Sequence, residues 1–434
     1  MNLLTANDRP GFYPHSWYAA TAKPLPPFPS LKGNATTDVA VIGGGFTGLS
    51  AALHLAEAGV HVTLLEAQRV GFGASGRNGG QVGSGQRREQ DTLEQMMGKE
   101  DAQALWQLGE DAKAKVLSLC RAHAIDAMWR PGIVHADINP KDVPHSHAYA
   151  DHLRGAYGYV AIEKLNGAQI RALVGSPTYH GGYIDRGAAH IHPLRFALGL
   201  ARAAVTAGAV IHEGSTVERI DPGQPATLQT PNGTLRANHV IVAANGYLGK
   251  LMPQIASRVM PINNFIVATE PLDQTAPEIL SEDVAVADSK FVVNYFRLSE
   301  DRRLLFGGGE TYGYRFPKDI ASTVRKPMAR IFPQLKNVRI DYAWGGTLAI
   351  TMQRLPLFTR LGSNIVSASG YSGHGVALAT LGGQLLAEAI RGPSDGFALM
   401  SRLPTPRFPG GAALRSPLLA AAMTWYAMRD KLRL

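Results

Sequence analysis

Three glycines and one glutamate carry the clearest chemistry in the chain. Gly43, Gly45 and Gly48 stand in the spacing G-x-G-x-x-G, and Glu66 follows 23 residues after the first of them. Glycine at the first position permits a tight turn, and at the second it lets backbone amides approach a pyrophosphate. At the third it lets a helix pack closely on a strand. Phe46 and Thr47 fall inside this motif, where a helix N-terminus would receive the phosphates. A carboxylate about 20 residues on hydrogen-bonds an adenosine ribose, with Ala67 beside it, and would repel a 2'-phosphate. These residues form a dinucleotide site that disfavours NADP.

Such a site needs a strand, a helix and a second strand to hold it. Val39 to Ile42 form the apolar run of a strand buried on both faces. Leu49, Ala52, Leu53 and Ala56 give the helix its stripe, Gly59 ends it, and His61 to Leu65 supply the second strand.

Two further glycine-rich stretches point at a ligand. GFGASGRNGGQ, residues 71–81, has five glycines among eleven positions. It must therefore be a loop with backbone close to something, and Ser75, Arg77, Asn78 and Gln81 equip it for a cofactor contact. Residues 364–390 repeat the order strand, glycine turn, helix. Leu378, Leu381, Leu385 and Ala389 form the stripe, and His374 stands at the expected helix N-terminus.

Between these stretches, residues 258–342 change to alternating strands, a suitable floor for a substrate cavity. Tyr295 and Arg297 are two apart and so share a strand face; Arg297 either grips a carboxylate or snorkels to the surface. His190 and His192 would share a face if extended, and without a third ligand they are expected to be structural rather than metal-binding.

The bulk composition sets outer bounds. A chain of 434 residues with 45% hydrophobic and 18% charged residues is large enough for two domains. The net charge of +9 comes from scattered Lys and Arg, which argues against nucleic acid as a partner. Cys120 is the sole cysteine, which excludes intrachain disulfides, CxxC pairs and cysteine zinc clusters. No stretch has the 18 or so unbroken apolar residues of a membrane span, and the first thirty residues lack a signal-peptide pattern. The expected compartment is the cytoplasm.

Taken together, VIGGGFTGLSAALHLAEAG, GASGRNGGQ, GAAHIHPL, VIVAANGYLG, DYAWGG and GYSGHGV resemble the D-amino acid oxidase superfamily of FAD-dependent amine oxidoreductases. The resemblance implies an α/β chain: a discontinuous Rossmann-like FAD-binding domain plus an α+β substrate domain on an antiparallel sheet. The expected boundaries are an arm at 1–37, the FAD domain at 38–90, 181–253 and 343–400, and a helical connector with the substrate domain at 91–180 and 254–342. A tail helix is expected at 401–434.

The resemblance further implies FAD as cofactor, with Val217 beside the adenine. It places Gly73, Ala74, Ser75, Arg77, Asn78, Gly79, Gly80 and Gln81 around the flavin. Ala244, Asn245, Gly246, Gly346, Gly370, Ser372, Gly373, His374, Gly375 and Val376 join them. Attachment should be noncovalent, since no histidine stands in the first glycine loop. The strand matching Arg303 to Glu310 lacks the lysine that some members use toward oxygen.

The expected reaction is oxidation of a primary amine by hydride loss to the flavin, then hydrolysis to an aldehyde and ammonia, with oxygen as acceptor. His374 and Tyr371 are the candidate catalytic groups; Tyr295, Arg297 and Trp344 are candidates for the substrate cavity. Rival expectations are an amino acid or N-methyl glycine type of substrate, or a flavin subunit passing electrons to a partner protein.

Overall fold

The computed structural model describes residues 2–290, 292–311 and 313–411. Two sheets organise them. In the first, Val210–His212, Val62–Leu65, Gly33–Ile42, Gly233–Val242 and Ile365–Ser369 lie side by side and parallel. Leu357–Leu361 closes one edge antiparallel. Val39 to Ile42 are buried as the apolar run requires, because helices cover the sheet.

The helix Phe46–Glu57 follows the first strand and lies against Gly375–Arg391. Their approach is close: a Cβ on Gly383 would sit 2.4 Å from the carbonyl oxygen of Thr47. Only glycine lets the two backbones meet there. Helices Lys99–Ala122 and Pro193–Thr206 complete the cover, the first through buried Leu105, Ala112, Val116 and Leu119.

The second sheet runs Ile340–Ile350, Met260–Thr269, Leu304–Thr311, Tyr295–Leu298, Ala285–Asp288, Arg130–Asp137, Gly181–His190 and Gln81–Val82. Pairing is antiparallel except between Ala285–Asp288 and Arg130–Asp137. A separate apolar core, with Phe265, Phe296, Phe306 and Phe332 buried, lies under this sheet.

Three segments expected in the nucleotide-binding half pair here instead. Strand Gly181–His190 hydrogen-bonds to Arg130–Asp137, Gln81–Val82 adds at its edge, and residues 343–350 extend the strand beside Met260–Thr269. The physical reason is that a local hydrophobic pattern does not report which sheet a strand joins, whether the strand is long, as Gly181–His190 and Ile340–Ile350 are, or as short as Gln81–Val82. Of the expected tail helix, residues 412–434 lie outside the described residues. Among the described residues, no helix is long and apolar enough to cross a membrane.

Candidate functional site

The strand register decides where the site lies. Ile42 pairs with Leu65 on one side and Val242 on the other, and Val242 pairs with Ser367. The residues that follow, Gly43, Glu66, Ala243 and Gly370, therefore emerge together at the carboxyl edge, where ligands bind in open parallel sheets. There a cavity of about 1760 Å³ opens, larger than the roughly 300–1,000 Å³ that suits an ordinary small ligand.

Two helices begin at this cavity without a side-chain cap: Phe46–Glu57 after Gly45, and Gly375–Arg391 after His374. Their first N–H groups are thus available to acceptors from a ligand. The starts are tied together, since the Thr47 and Tyr371 hydroxyls lie 2.8 Å apart. Gly48 sets the first helix against its strand; a Cβ there would come within 1.9 Å of the Gly43 carbonyl oxygen. Glu66 accepts the N–H of Gly44 at 2.6 Å and of Gln68 at 2.7 Å. Burial pushes its carboxyl up to about 7, although these backbone donors pull the other way.

The loop 71–81 crosses the same cavity. Ser75 Oγ accepts from Phe46 N at 2.9 Å, and Asn78 braces the turn through Ala74 O, Ser75 O and Gly80 N. Arg77 is fully buried and donates to Phe72 O, Gly345 O and Asp8. Through Asp8, and through Gln68 donating to Leu4 O, the N-terminal arm is fastened across the cavity, with Asn2, Leu3 and Leu4 in its wall.

Beyond the glycine loops the cavity continues between the sheets. Tyr295 projects into it, its hydroxyl against Asn264 Oδ1 at 2.5 Å. The ring fits because residues 79 and 307 are glycine; a Cβ at Gly307 would lie 2.0 Å from the ring. His374 faces Gly83, and its buried Nε2 has no hydrogen-bond partner among the described residues. Burial, then the charges of Arg87 and Lys113, hold its pKa down at about 4, so the ring is neutral at pH 7.

A polar network underlies this region. Ser84 donates to Asp185 at 2.5 Å and accepts from buried Lys113 at 2.5 Å; Tyr159 donates to the same carboxylate. Lys113 is also paired with Glu110 at 2.9 Å.

Most of the residues expected from sequence meet in this cavity wall: Gly43, Gly45, Phe46, Thr47, Glu66, Ala67, Gly73 to Ser75, Arg77 to Gly79, Gln81, Val217, Ala244 to Gly246, Tyr295, Gly346 and Tyr371 to Val376. Gly48, Gly80 and Gly370 stand behind it.

Two substrate candidates are elsewhere. Arg297 does share a strand with Tyr295, but its guanidinium is buried and donates to Gly79 O, Ile191 O and Leu298 O. It neither reaches the cavity nor snorkels; three backbone carbonyls, in the glycine loop and at strand ends, hold it inward. Trp344 is also buried, its indole N–H on Arg77 O.

The two histidines part company as well. His192 lies past the strand end and caps the helix Pro193–Thr206 by accepting Arg195 N, while His190 faces Asp283. Ser84, Arg87, Tyr183 and Asp185 line the cavity without having been singled out. The signal for Ser84 and Arg87 was the polar run GSGQRREQ directly after the glycine loop, while Tyr183 and Asp185 lie in the strand Gly181–His190.

The donor set suits a dinucleotide carrying a second, redox-active ring: two uncapped helix starts, a glycine cradle and a ribose carboxylate at one cavity. The family model described as FAD dependent oxidoreductase (DAO) matches residues 38–389. The chain belongs to this family. FAD is accordingly its cofactor, and the enzyme is an oxidoreductase of the amine and amino acid oxidase type.

It is 44% identical over 96% of its length to a probable oxidoreductase, OrdL, of Rhizobium meliloti (strain 1021), covering 97% of that protein. It is 41% identical over 96% of its length to gamma-glutamylputrescine oxidoreductase of Escherichia coli (strain K12), covering 98%. Among solved structures, glycine oxidase from Bacillus cereus ATCC 14579 superposes with a TM-score of 0.70 at 20% identity, over 86% of this chain and 100% of that one. That likeness establishes the fold. Cys120 lies in the helical core away from the cavity, its thiol pushed up to about 12 by burial.

Proposed function

We propose that this flavoenzyme oxidises a primary amine at the end of a flexible chain, with gamma-glutamylputrescine as its substrate. The observation that carries the reading is the 41% identity to the Escherichia coli gamma-glutamylputrescine oxidoreductase, nearly end to end on both chains. The cavity favours the same reading, since it extends past the cofactor cradle into a polar chamber lined by Tyr149, Tyr183 and His135. A long amine needs such a chamber.

FAD, when bound, would supply the acceptor for a hydride, which carries the two electrons of the oxidation. Gly43, Gly45 and the start of helix Phe46–Glu57 would hold its pyrophosphate, Glu66 a ribose, and the start of helix Gly375–Arg391 the flavin edge where negative charge grows.

The chain's own work is orientation and desolvation. Tyr295, held by Asn264, forms a wall for the reacting carbon. An alkylammonium has a pKa near 10.4, and only the neutral amine gives up hydride readily, so a water-poor chamber assists by favouring the uncharged form. Neutral His374 adds no negative charge that would hold the substrate as its ammonium. The resulting imine takes up water, so that the amine, oxygen and water yield aldehyde, ammonia and hydrogen peroxide in equal amounts.

Anaerobic titration with gamma-glutamylputrescine tests this through the oxidised flavin band, at about 450 nm. Bleaching, followed in air by equal peroxide and ammonia, is the expected result. A flavin that stays oxidised with this amine would overturn the substrate. Bleaching with only slow recovery in air would overturn oxygen as the acceptor.

A further inference from the structure

Five arginines stand in the cavity wall, and four are already engaged. Arg77 is tied to Asp8 and two carbonyls, Arg219 to Asp221, and Arg88 donates through Nε to Gln353 O. Arg354 also has its contacts. Arg87 is different. Its side chain is accessible and lines the cavity, yet its guanidinium has no hydrogen bond or ion pair to any described residue.

The backbone around Arg87 is fixed. It sits in the loop between strand Gln81–Val82 and helix Gln90–Met97, flanked by residues that are pinned. Buried Gln86 donates to Leu105 O at 3.0 Å, Gln90 donates to Ala102 O at 2.9 Å, and Arg88 holds the 353 carbonyl. A long side chain on so firm a base has only its outer bonds free to adjust. Five donors in a planar fork remain unused at its end.

The charges around it have one dominant sign. Arg354 and Arg88 stand nearby, and the carboxylate close to them, Glu89, is spent on His145 at 2.9 Å. Arg87 is solvent-accessible only because the cavity before it is open; the protein around that cavity, then Arg354 and Arg88, lower the proton affinity of its guanidinium. Grouped cations in a confined space repel one another, and an incoming anion relieves that repulsion.

We propose that Arg87 anchors a carboxylate at the far end of the amine substrate, and that the positive patch it forms with Arg88 and Arg354 turns away diamines whose far end is a second ammonium. This rests on the amine-oxidation reading above. One charge at the far end thus settles two questions. It sets which end of an asymmetric substrate enters first, because the ammonium is driven from the patch toward the flavin. It also separates a gamma-glutamyl amide from the free diamine, a discrimination that needs a repulsive element as well as an attractive one.

Three amines with the same reacting end test the idea: gamma-glutamylputrescine with a carboxylate beside an α-ammonium, N-acetylputrescine with a neutral amide, and putrescine with an ammonium alone. In the wild-type holoenzyme, apparent Kd from anaerobic flavin reduction should rise in that order. Arg87→Met should raise the Kd of the gamma-glutamyl compound about 10- to 100-fold, the scale of a lost charged hydrogen bond. The ratio of gamma-glutamyl to acetyl Kd should then approach one. Arg87→Lys should restore part of it, and FAD content read from the visible band shows that both variants are folded.

Glutaric acid monobutylamide keeps the carboxylate but has no oxidisable amine. Its binding, read from perturbation of the oxidised flavin spectrum, should weaken equally in Arg87→Met. If wild type is reduced by none of the three amines, the amine reading fails, while this ligand still tests the anchor alone. Equal losses for all three amines, or unchanged binding of the butylamide, would overturn the anchor.

Discussion

The hydroxyls of Thr47 and Tyr371 meet 2.8 Å apart, joining the first turn of one helix to the loop that starts another. Both side chains are buried at the cofactor cradle, and Tyr371 lies beneath Gly375 with no free hydroxyl to offer substrate. Tyr371 is therefore a positioning residue. Burial raises the phenol above its ordinary value, which rules it out as a base near neutrality.

Thr47→Val and Tyr371→Phe each strand the partner hydroxyl in a dry site, at an expected cost of about 1–3 kcal/mol. Because both remove the same contact, the double variant should lose less than the sum, with a coupling of at least about 0.5 kcal/mol. Thermal unfolding of the holoenzyme, the two single variants and the double variant measures this. Additive losses would mean the contact carries no energy of its own.

FAD affinity should depend on pH through Glu66. Its carboxyl titrates at about 7 in the cofactor-free protein, above the ordinary carboxylate range. The folded protein therefore holds that proton longer than the unfolded chain, and the associated stability is lost as pH rises from about 4.5 through 7. Ribose hydroxyls donate to the charged form and lower this pKa. FAD binding should accordingly tighten as pH rises toward 7 and level off above it, by about tenfold per unit of lowering. Fluorescence titration with FAD between pH 5.5 and 8.5 gives the curve, and Glu66→Gln should bind more weakly and without the pH dependence.

His374, held at about 4, is neutral across the working range. The profile of kcat/KM should thus rise toward the pKa of the substrate amine, near 10.4, with no inflection around 6.5. His374→Asn should lower kcat and leave the shape of that profile unchanged. An inflection near 6.5 that vanishes in the variant would instead make this histidine the base.

Arg77 and Asp8 form an ion pair at 2.8 Å with side-chain exposures of 1% and 11%. Asp8→Ala leaves the guanidinium buried without its counter-charge, a change of the kind that costs about 3–5 kcal/mol. The carbonyls of Phe72 and Gly345 hold part of that charge, so the lower figure is expected. Faster release of FAD on dilution, together with a lower unfolding temperature, would mark the arm as part of the cofactor clamp; unchanged release would remove it from that role.

The cofactor half of the site was legible because each of its contacts is local in sequence. A strand, a glycine turn and a helix within thirty residues place Gly43, Gly45, Gly48 and Glu66 by periodicity alone, and the 364–390 stretch repeats the logic. The substrate half was not. Tyr295 and Arg297 share a face by strand geometry, but where a side chain goes after leaving that face depends on Gly79 and Ile191, more than 100 positions away. A guanidinium near unpaired carbonyls and one near open space look alike in sequence. The same holds for Arg87, whose isolation follows from what Gln86, Arg88 and Gln90 have already bonded. Sheet membership failed for a related reason, since Gly181–His190 has the same apolar content whichever sheet it enters.

The arm that carries Asn2 to Tyr13 precedes all of its partners in the chain: Gln68, Val70, Arg77, Tyr314 and Phe316. Two of those partners emerge only after three hundred residues have been made. Asn7, which holds both of them, therefore completes its bonds only after the cradle behind it has been made, and the wall that Asn2, Leu3 and Leu4 add to the cavity is fully fastened only then.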